Sequence, residues 1–174
     1  MWAAGIAGVD NNNATGSMST STSDVELISL VAIDLIDKLI AYTQLEPGNS
    51  MATLSASTSM QVLGNTGINQ MLGGDSMCRT YSLTNPCRVS ATSTIPQSEQ
   101  HYGTSSVAYS SGFLLQPTST PALLDIRIPK PTSTSTPVTR RTYWGISVPA
   151  AITLAGAYTG QNAFLGVKSN PSNW

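Results

Sequence analysis

The chain has 174 residues and a formal net charge of −1 at neutral pH, and only 10% of its residues are charged. This length suits a single domain with a real hydrophobic core, and the near-zero net charge gives no indication of nucleic-acid binding. The polar character comes from 24 serines and 21 threonines. A surface with so few charges is typical of proteins that pack against copies of themselves or work outside cells.

The few charges are unevenly distributed along the chain. Residues 1–77 carry seven carboxylates and one lysine, net −6, whereas residues 78–174 carry seven basic and two acidic side chains, net +5. Opposite charges on the two halves can attract each other within one fold or between neighbouring copies. The sequence leaves both arrangements open.

Residues 1–22 form a predicted flexible N-terminal arm. They contain small residues, an Asn triplet and a Ser-Thr run, with no helix or strand period. Trp2 favours the alternative that the arm docks on a surface, since it provides a large apolar anchor near the chain end. The apolar residues 1–8 lack a preceding basic segment, so no secretory signal is predicted. No stretch reaches 18 apolar residues, so no membrane span is predicted.

Residues 23–46 are predicted to form one N-terminal helix. Ser23 and Glu26 have the spacing of a capping box, and Glu46-Pro47-Gly48 is a stop signal. Apolar residues recur at intervals of three and four and cover well over half of the helix surface. Such a helix would be either a central core element or one shared between subunits.

Residues 47–104 are predicted to be loop-rich, with at most one short strand. Four of the six methionines lie here among Gly and Ser, which indicates adaptable packing. Cys78 and Cys87 flank a turn signal at Asn85-Pro86. They could form a disulfide or remain free thiols, and two cysteines do not identify the redox compartment.

Residues 105–174 are predicted to be β-rich, with five or six short strands. The clearest is "ALLDIRIP", which places Leu124, Ile126 and Ile128 on one face of a strand. The segment 151–169 reads as a β-hairpin around Gly160. The predicted fold is therefore one domain over residues 23–174, mainly β with one N-terminal helix, and an antiparallel β-sandwich or jelly-roll-like barrel in its C-terminal half.

One basic-aromatic cluster lies at the start of the predicted strand 141–148. Arg140, Arg141, Tyr143 and Trp144 could stack on sugars or bases or anchor an interface, because Arg, Tyr and Trp dominate such contacts. The alternative is a strand whose Trp144 faces the core. Trp174 resembles Trp2 in being a terminal anchor, and both could dock on a neighbouring copy or on their own domain.

The sequence offers little that could perform catalysis. His101 is the single histidine, and no nucleophile-elbow motif accompanies it. Cys78, Cys87 and His101 do not have metal-ligand spacing, and no phosphate-binding loop occurs. We therefore predict no catalytic residue, no metal and no cofactor.

These observations favour a non-enzymatic structural subunit of a self-assembling particle. A virion component, such as a capsid, decoration or tail-associated protein, agrees best with the low charge and the anchor-bearing ends. The alternatives are an extracellular fibre or pilin-like subunit and a secreted carbohydrate-binding or adhesive module. The expected partners are copies of the chain or other structural proteins, with glycan contact in the adhesive case. The expected location is a virion or an extracellular surface.

Overall fold

The computed structural model describes residues 5–20, 29–88, 90, 92–132 and 137–173. Within these residues the chain is mainly β, and three single-turn 3₁₀ helices are its helical elements. In chain order the strands are β1 (Gly5–Ile6), β2 (Ser19–Thr20), β3 (Ile33–Leu35), β4 (Ala56–Val62), β5 (Ile68–Gly74), β6 (Met77–Cys78), β7 (Thr94–Ile95), β8 (Gln100–Gly103), β9 (Phe113–Leu114), β10 (Ala122–Ile128), β11 (Thr139–Ile146) and β12 (Asn162–Lys168). The 3₁₀ helices are Gln97–Glu99, Tyr109–Ser111 and Pro171–Asn173.

These strands form antiparallel sheets. The largest sheet has five strands in the order β3-β4-β11-β8-β9, and a second sheet has three strands in the order β10-β5-β12. Two small ribbons, β1-β2 and β6-β7, complete the described strands. The strands β4 and β5 of the acidic half pair with β10, β11 and β12 of the basic half, so segments of the two halves are hydrogen-bonded to each other.

Side chains of the two larger sheets share one hydrophobic core. Trp144 of β11 is fully buried and lies edge-on to Phe164 of β12, with ring centroids 5.7 Å apart. The other buried members are Met60, Val62, Ile68, Leu72, Tyr102, Leu115, Leu124, Ile126 and Ile128. A smaller apolar cluster consists of Met51, Ile95, Ile146 and Ile152.

Polar side chains also form hydrogen bonds inside this core, both between the two sheets and within the larger one. The Thr142 hydroxyl donates to Oε1 of Gln70 over 2.8 Å, and the Gln70 amide nitrogen lies 3.6 Å from the Met60 sulfur. The indole nitrogen of Trp144 donates to the Thr58 hydroxyl over 2.9 Å. Buried polar groups are tolerated only when they are paired, so these bonds explain how Ser- and Thr-rich strands occupy the centre of the fold.

The strand β10 confirms the alternation predicted from the sequence. Leu124, Ile126 and Ile128 are buried, whereas Asp125 and Arg127 are exposed and form an ion pair at 2.7 Å. One face of this strand contacts the core and the other contacts solvent, which is the condition under which a period of two appears.

The predicted helix at 23–46 is wrong over its described part, residues 29–46. Its residues 33–35 form an edge strand, in which Ile33 and Leu35 pair with Val62 and Met60 of β4, and the rest of the segment is irregular. Its many β-branched residues suit extended backbone, and only part of its wide apolar stripe, including Ile33 and Ile40, packs against the core. The capping-box residues Ser23 and Glu26 lie outside the described residues.

The hairpin predicted at 151–169 is also wrong. Its second run is the strand β12, but the first run forms no strand, and β12 pairs with β5 instead. Residues 47–104, predicted to be loop-rich, contain the strands β4 to β8. Beyond residue 105, the described residues form the four strands β9 to β12.

Cys78 and Cys87 form a disulfide in the structure, with Cα atoms 5.7 Å apart. The bridge joins the end of β6 to the loop that precedes β7. Closing a loop this short contributes about 2–3 kcal/mol in the chain-entropy model.

Candidate functional site

The structure separates the four residues of the predicted basic-aromatic cluster. Arg140 and Arg141 are exposed, Tyr143 is half-buried, and Trp144 is fully buried with its indole nitrogen bonded to Thr58. A buried Trp144 cannot stack on a sugar. These residues therefore do not present one continuous binding surface. Trp2 and Trp174 lie outside the described residues.

His101 is tied to the protein backbone. Its Nδ1 lies 2.8 Å from the Tyr109 carbonyl oxygen, and its ring stacks on the Tyr109 ring at 4.1 Å. The Tyr109 hydroxyl in turn donates to the Glu99 carbonyl oxygen over 3.0 Å. The described residues contain no group of three or more His, Cys, Asp or Glu side chains that could hold a metal ion. They also contain no helix long and apolar enough to cross a membrane.

The N-terminal segment 5–20 folds into a small ribbon, which we call the arm hairpin. The strands β1 and β2 pair, and the Asp10 carboxylate accepts hydrogen bonds from the backbone nitrogens of Asn12 and Ala14 at 2.8 Å each. Asn13 adopts a left-handed φ of 62° at the turn, a conformation that asparagine tolerates well. Among the described residues, the hydrogen bonds of this hairpin join only its own members.

The arm hairpin exposes its apolar side chains to solvent. Ile6 is 77% exposed, Val9 62% and Met18 68%. The hairpin therefore has a defined local shape, but its apolar groups are not buried against the body of the fold.

The body also exposes apolar side chains, and two groups of them lie on strands of the larger sheets. Phe113 and Leu114 lie on β9, an edge strand of the five-stranded sheet. Leu123 of β10 and Leu165 of β12 are both exposed and are both direct register partners of Met71 in β5. We call Leu123, Met71 and Leu165 the apolar row, since they lie side by side across the three-stranded sheet.

A cavity of about 250 Å³ opens beside the core where three distant segments meet. Tyr42, Gln100 and Asn162 form a hydrogen-bonded group in its wall: the Tyr42 hydroxyl and the Asn162 amide nitrogen both donate to Oε1 of Gln100, over 2.9 and 3.0 Å. Burial, together with the nearby Tyr109, raises the pKa of Tyr42 far above its usual value. The Tyr42 hydroxyl therefore keeps its proton and remains a donor.

The rest of the cavity wall is mixed in character. It includes apolar surface from Leu39, Ile40 and Phe164, and one charge of each sign from Asp37 and Lys38. Sequence reasoning missed this site because Tyr42, Gln100 and Asn162 are about 60 residues apart along the chain and belong to no local motif.

A second, larger cavity of about 550 Å³ lies against the disulfide loop. Arg79 and Arg88 line it with Ser, Thr and Asn side chains, and both arginines are exposed. Neither forms an ion pair with a described residue.

Comparison of the chain with family models, with curated proteins and with solved structures gave no match. The function is therefore argued from the arrangement of these residues alone.

Proposed function

We propose that the chain is a non-enzymatic structural subunit that assembles with copies of itself. The observation that carries the proposal is the arm hairpin, which is folded but leaves Ile6, Val9 and Met18 in solvent. Burying one such side chain stabilises an interface by about 1.5–3 kcal/mol. A segment that keeps its shape while exposing three of them is suited to seating on a neighbouring surface.

A second copy offers surfaces of matching chemistry. Leu123 and Leu165 of the apolar row and the β9 side chains Phe113 and Leu114 are all exposed on strands of the two larger sheets. An edge strand such as β9 also presents unpaired backbone groups that can add a strand from another chain. We place the arm hairpin of one copy on such a surface of the next.

Among self-assembling particles, a virion is the one that agrees best with the low charge of the chain and its Ser-Thr-rich surface. An extracellular fibre or pilin-like subunit is the alternative of the same class, and electron microscopy of the assembled protein distinguishes a closed shell from a filament. The disulfide between Cys78 and Cys87 is compatible with either location.

We also propose that the two larger sheets pack against each other as a β-sandwich or jelly-roll-like barrel. The edge-on contact of Trp144 with Phe164 and the hydrogen bond from Thr142 to Gln70 both join one sheet to the other. Double-sheet jelly rolls occur in viral capsid domains.

The test is to place charges at the three exposed apolar positions of the arm hairpin. The triple variant Ile6→Asp/Val9→Asp/Met18→Asp is expected to weaken self-association at least about tenfold, since buried charge opposes association. Mass photometry and sedimentation velocity measure the distribution of species. Circular dichroism and thermal unfolding should match the unmodified protein, because the hairpin contributes little to the core.

The matched control is Asn11→Asp/Asn12→Asp/Ser17→Asp, which adds the same charge at exposed polar positions of the same hairpin. It should associate like the unmodified protein. If the unmodified protein stays monomeric at high concentration, or if both triple variants associate equally, the proposed role of the arm hairpin is wrong.

A further inference from the structure

The cavity against the disulfide loop is lined by positive charge. Two of the eight basic side chains of the chain, Arg79 and Arg88, line it, and no carboxylate of the described residues does. Both arginines are exposed, so a solute in the cavity can reach them. Neither forms an ion pair with a described residue. The cavity therefore presents positive charge to solvent without a neighbouring negative charge from the described residues.

The disulfide holds the two arginines close to each other. The bridge between Cys78 and Cys87 keeps their Cα atoms 5.7 Å apart, and each cysteine is followed directly by one of the arginines. Consecutive Cα atoms are about 3.8 Å apart, so the Cα atoms of Arg79 and Arg88 lie within about 13 Å of each other. Two long side chains that start at this separation can both contact one group placed between them.

Each arginine is also positioned by a neighbouring segment. The hydroxyl of the buried Thr94 donates to the Arg88 carbonyl oxygen over 2.7 Å, which fixes the backbone from which the Arg88 side chain extends. The Arg79 side chain lies against Gly156, where a Cβ would be 2.9 Å from Nε of Arg79. Gly156 also has a φ of 140°, which favours glycine. The lack of a side chain at position 156 therefore leaves the room in which Arg79 lies.

The size and lining of the cavity define the class of ligand. Its volume of about 550 Å³ lies within the roughly 300–1,000 Å³ of small-molecule sites, which are usually lined by hydrophobic side chains. Here, apart from the disulfide, the described apolar side chains in the wall are Pro86 and Leu154, and the other lining residues carry hydroxyl, amide or guanidinium groups. Guanidinium groups match the oxygens of phosphate and carboxylate in paired hydrogen bonds. The ligand should therefore be polar and negatively charged.

We propose that this cavity binds a small polar molecule through a negatively charged oxygen group, namely a phosphate, a sulfate or a carboxylate. The guanidinium groups of Arg79 and Arg88 donate to the oxygens of that group, and the polar side chains of the wall contact the rest of the molecule. A phosphate monoester should bind most tightly to two arginines, because it carries a charge of about −1.5 to −2 at neutral pH. Every residue involved belongs to one copy, so the inference does not depend on self-assembly.

Four probes that share one hexose ring measure the contribution of the charged group. Glucose 6-phosphate, glucose 6-sulfate and glucuronate carry the three candidate groups, and glucose carries none. Each is titrated into the full chain at low salt and followed by isothermal titration calorimetry. Glucose 6-phosphate should bind at least about tenfold more tightly than glucose, because charge-assisted hydrogen bonds are stronger than neutral ones. The charged probe that binds most tightly identifies the group that the cavity prefers.

The double variant Arg79→Gln/Arg88→Gln tests the location of the site. Glutamine keeps a polar side chain but removes both charges, so glucose 6-phosphate should bind at least about tenfold more weakly. Both side chains are exposed, so thermal unfolding should match that of the unmodified protein. If the double variant does not fold, Arg88→Gln alone decides, and it should still weaken binding severalfold.

The matched control is Arg140→Gln/Arg141→Gln. It removes the same two charges from exposed positions of β11 that lie outside the cavity wall. It should bind glucose 6-phosphate like the unmodified protein. This control separates a local site from a general effect of the net charge of the chain.

Three results would each overturn the proposal. These are affinities for all three charged probes no higher than for glucose, binding of glucose 6-phosphate that survives the loss of Arg79 and Arg88, and equal loss of binding in the two double variants. Arg79→Gln/Arg88→Gln should assemble like the unmodified protein, since assembly is assigned to the arm hairpin. Loss of assembly and loss of anion binding are therefore separate outcomes.

Discussion

At the scale of single residues, the hydrogen bond between Trp144 and Thr58 shows how polar residues stabilise this core. Thr58 is buried, and its hydroxyl accepts the only hydrogen that the Trp144 indole can donate. Thr58→Val keeps the shape but leaves that N–H buried and unpaired. We expect the free energy of unfolding to fall by about 1–3 kcal/mol, measured by urea denaturation.

The control for this prediction lies on β11. Thr139→Val makes the same substitution at an exposed position of the strand that carries Trp144, and it should change stability by less than about 0.5 kcal/mol. Equal losses in the two variants would show that the buried bond contributes nothing specific.

Tyr109 makes stability depend on pH in the alkaline range. Burial, and then the negative charge of Glu99, raises the pKa of Tyr109 to about 12, whereas an unfolded tyrosine titrates near 10. Between these values the unfolded chain has lost a proton that the folded chain retains. The unfolded state then binds fewer protons, so stability falls as pH rises from about 10 to 12.

The measurement is urea denaturation between pH 9 and 12 without reductant. Tyr109→Phe removes this titrating group, so its stability should fall less steeply with pH than that of the unmodified protein. Burial also raises the pKa of Tyr102, so some dependence should remain in the variant. Identical slopes in both proteins would show that Tyr109 is not the titrating group.

At the scale of elements, the sequence predicts a strand well when one of its faces meets water. In β10 the alternation of Leu124, Ile126 and Ile128 with charged residues is visible locally. The strands β4 and β5 were missed because their buried positions include Thr58 and Gln70. The partners that satisfy these two side chains lie about 70–90 residues away, and no local pattern reveals them.

The dependence on partners that are distant in the sequence also explains why the predicted helix at 23–46 is wrong. Intervals of three and four between apolar residues occur in 29–46, but the free edge of β4 provides partners for Ile33 and Leu35. A helix and an edge strand are both locally allowed, and the long-range partner decides between them. The cavity around Gln100 was missed for the related reason that its polar members come from three separate segments.

The packing of the segment before β3 against the turn after β4 can be tested at Gly64. A Cβ on Gly64 would collide with the Leu30 carbonyl oxygen and approach the Ala32 nitrogen to 2.9 Å. Both are backbone atoms, so the segment before β3 would have to move. We expect Gly64→Ala to cost about 2–3 kcal/mol and to speed hydrogen exchange in residues 30–36.

Gly8→Ala provides the comparison, since nothing lies within 4 Å of a Cβ at Gly8. It should leave stability unchanged. If Gly64→Ala also left stability unchanged, the segment 29–36 would not be packed against the turn after β4. The predicted helix at 23–46 would then again be a reasonable interpretation.

At the scale of the whole molecule, the acidic and basic halves of the chain are interleaved. Strands β4 and β5 of the first half pair with β10, β11 and β12 of the second. Yet the ion pair found among the described residues, Arg127 with Asp125, lies within the second half. Strand pairing therefore brings segments of both halves into one folded body, although this ion pair does not join the two halves.

The exposed apolar side chains of the arm hairpin predict how assembly responds to salt. If the arm hairpin carries association through Ile6, Val9 and Met18, the species observed at 50 mM NaCl should persist at 1 M NaCl, where the screening length falls to about 3 Å, because apolar burial is not screened. Mass photometry at both concentrations measures this. The control variant Asn11→Asp/Asn12→Asp/Ser17→Asp should form the same species as the unmodified protein at both salt concentrations. Dissociation at 1 M NaCl would instead assign the interface to charge pairs and would remove the arm hairpin as its main contact.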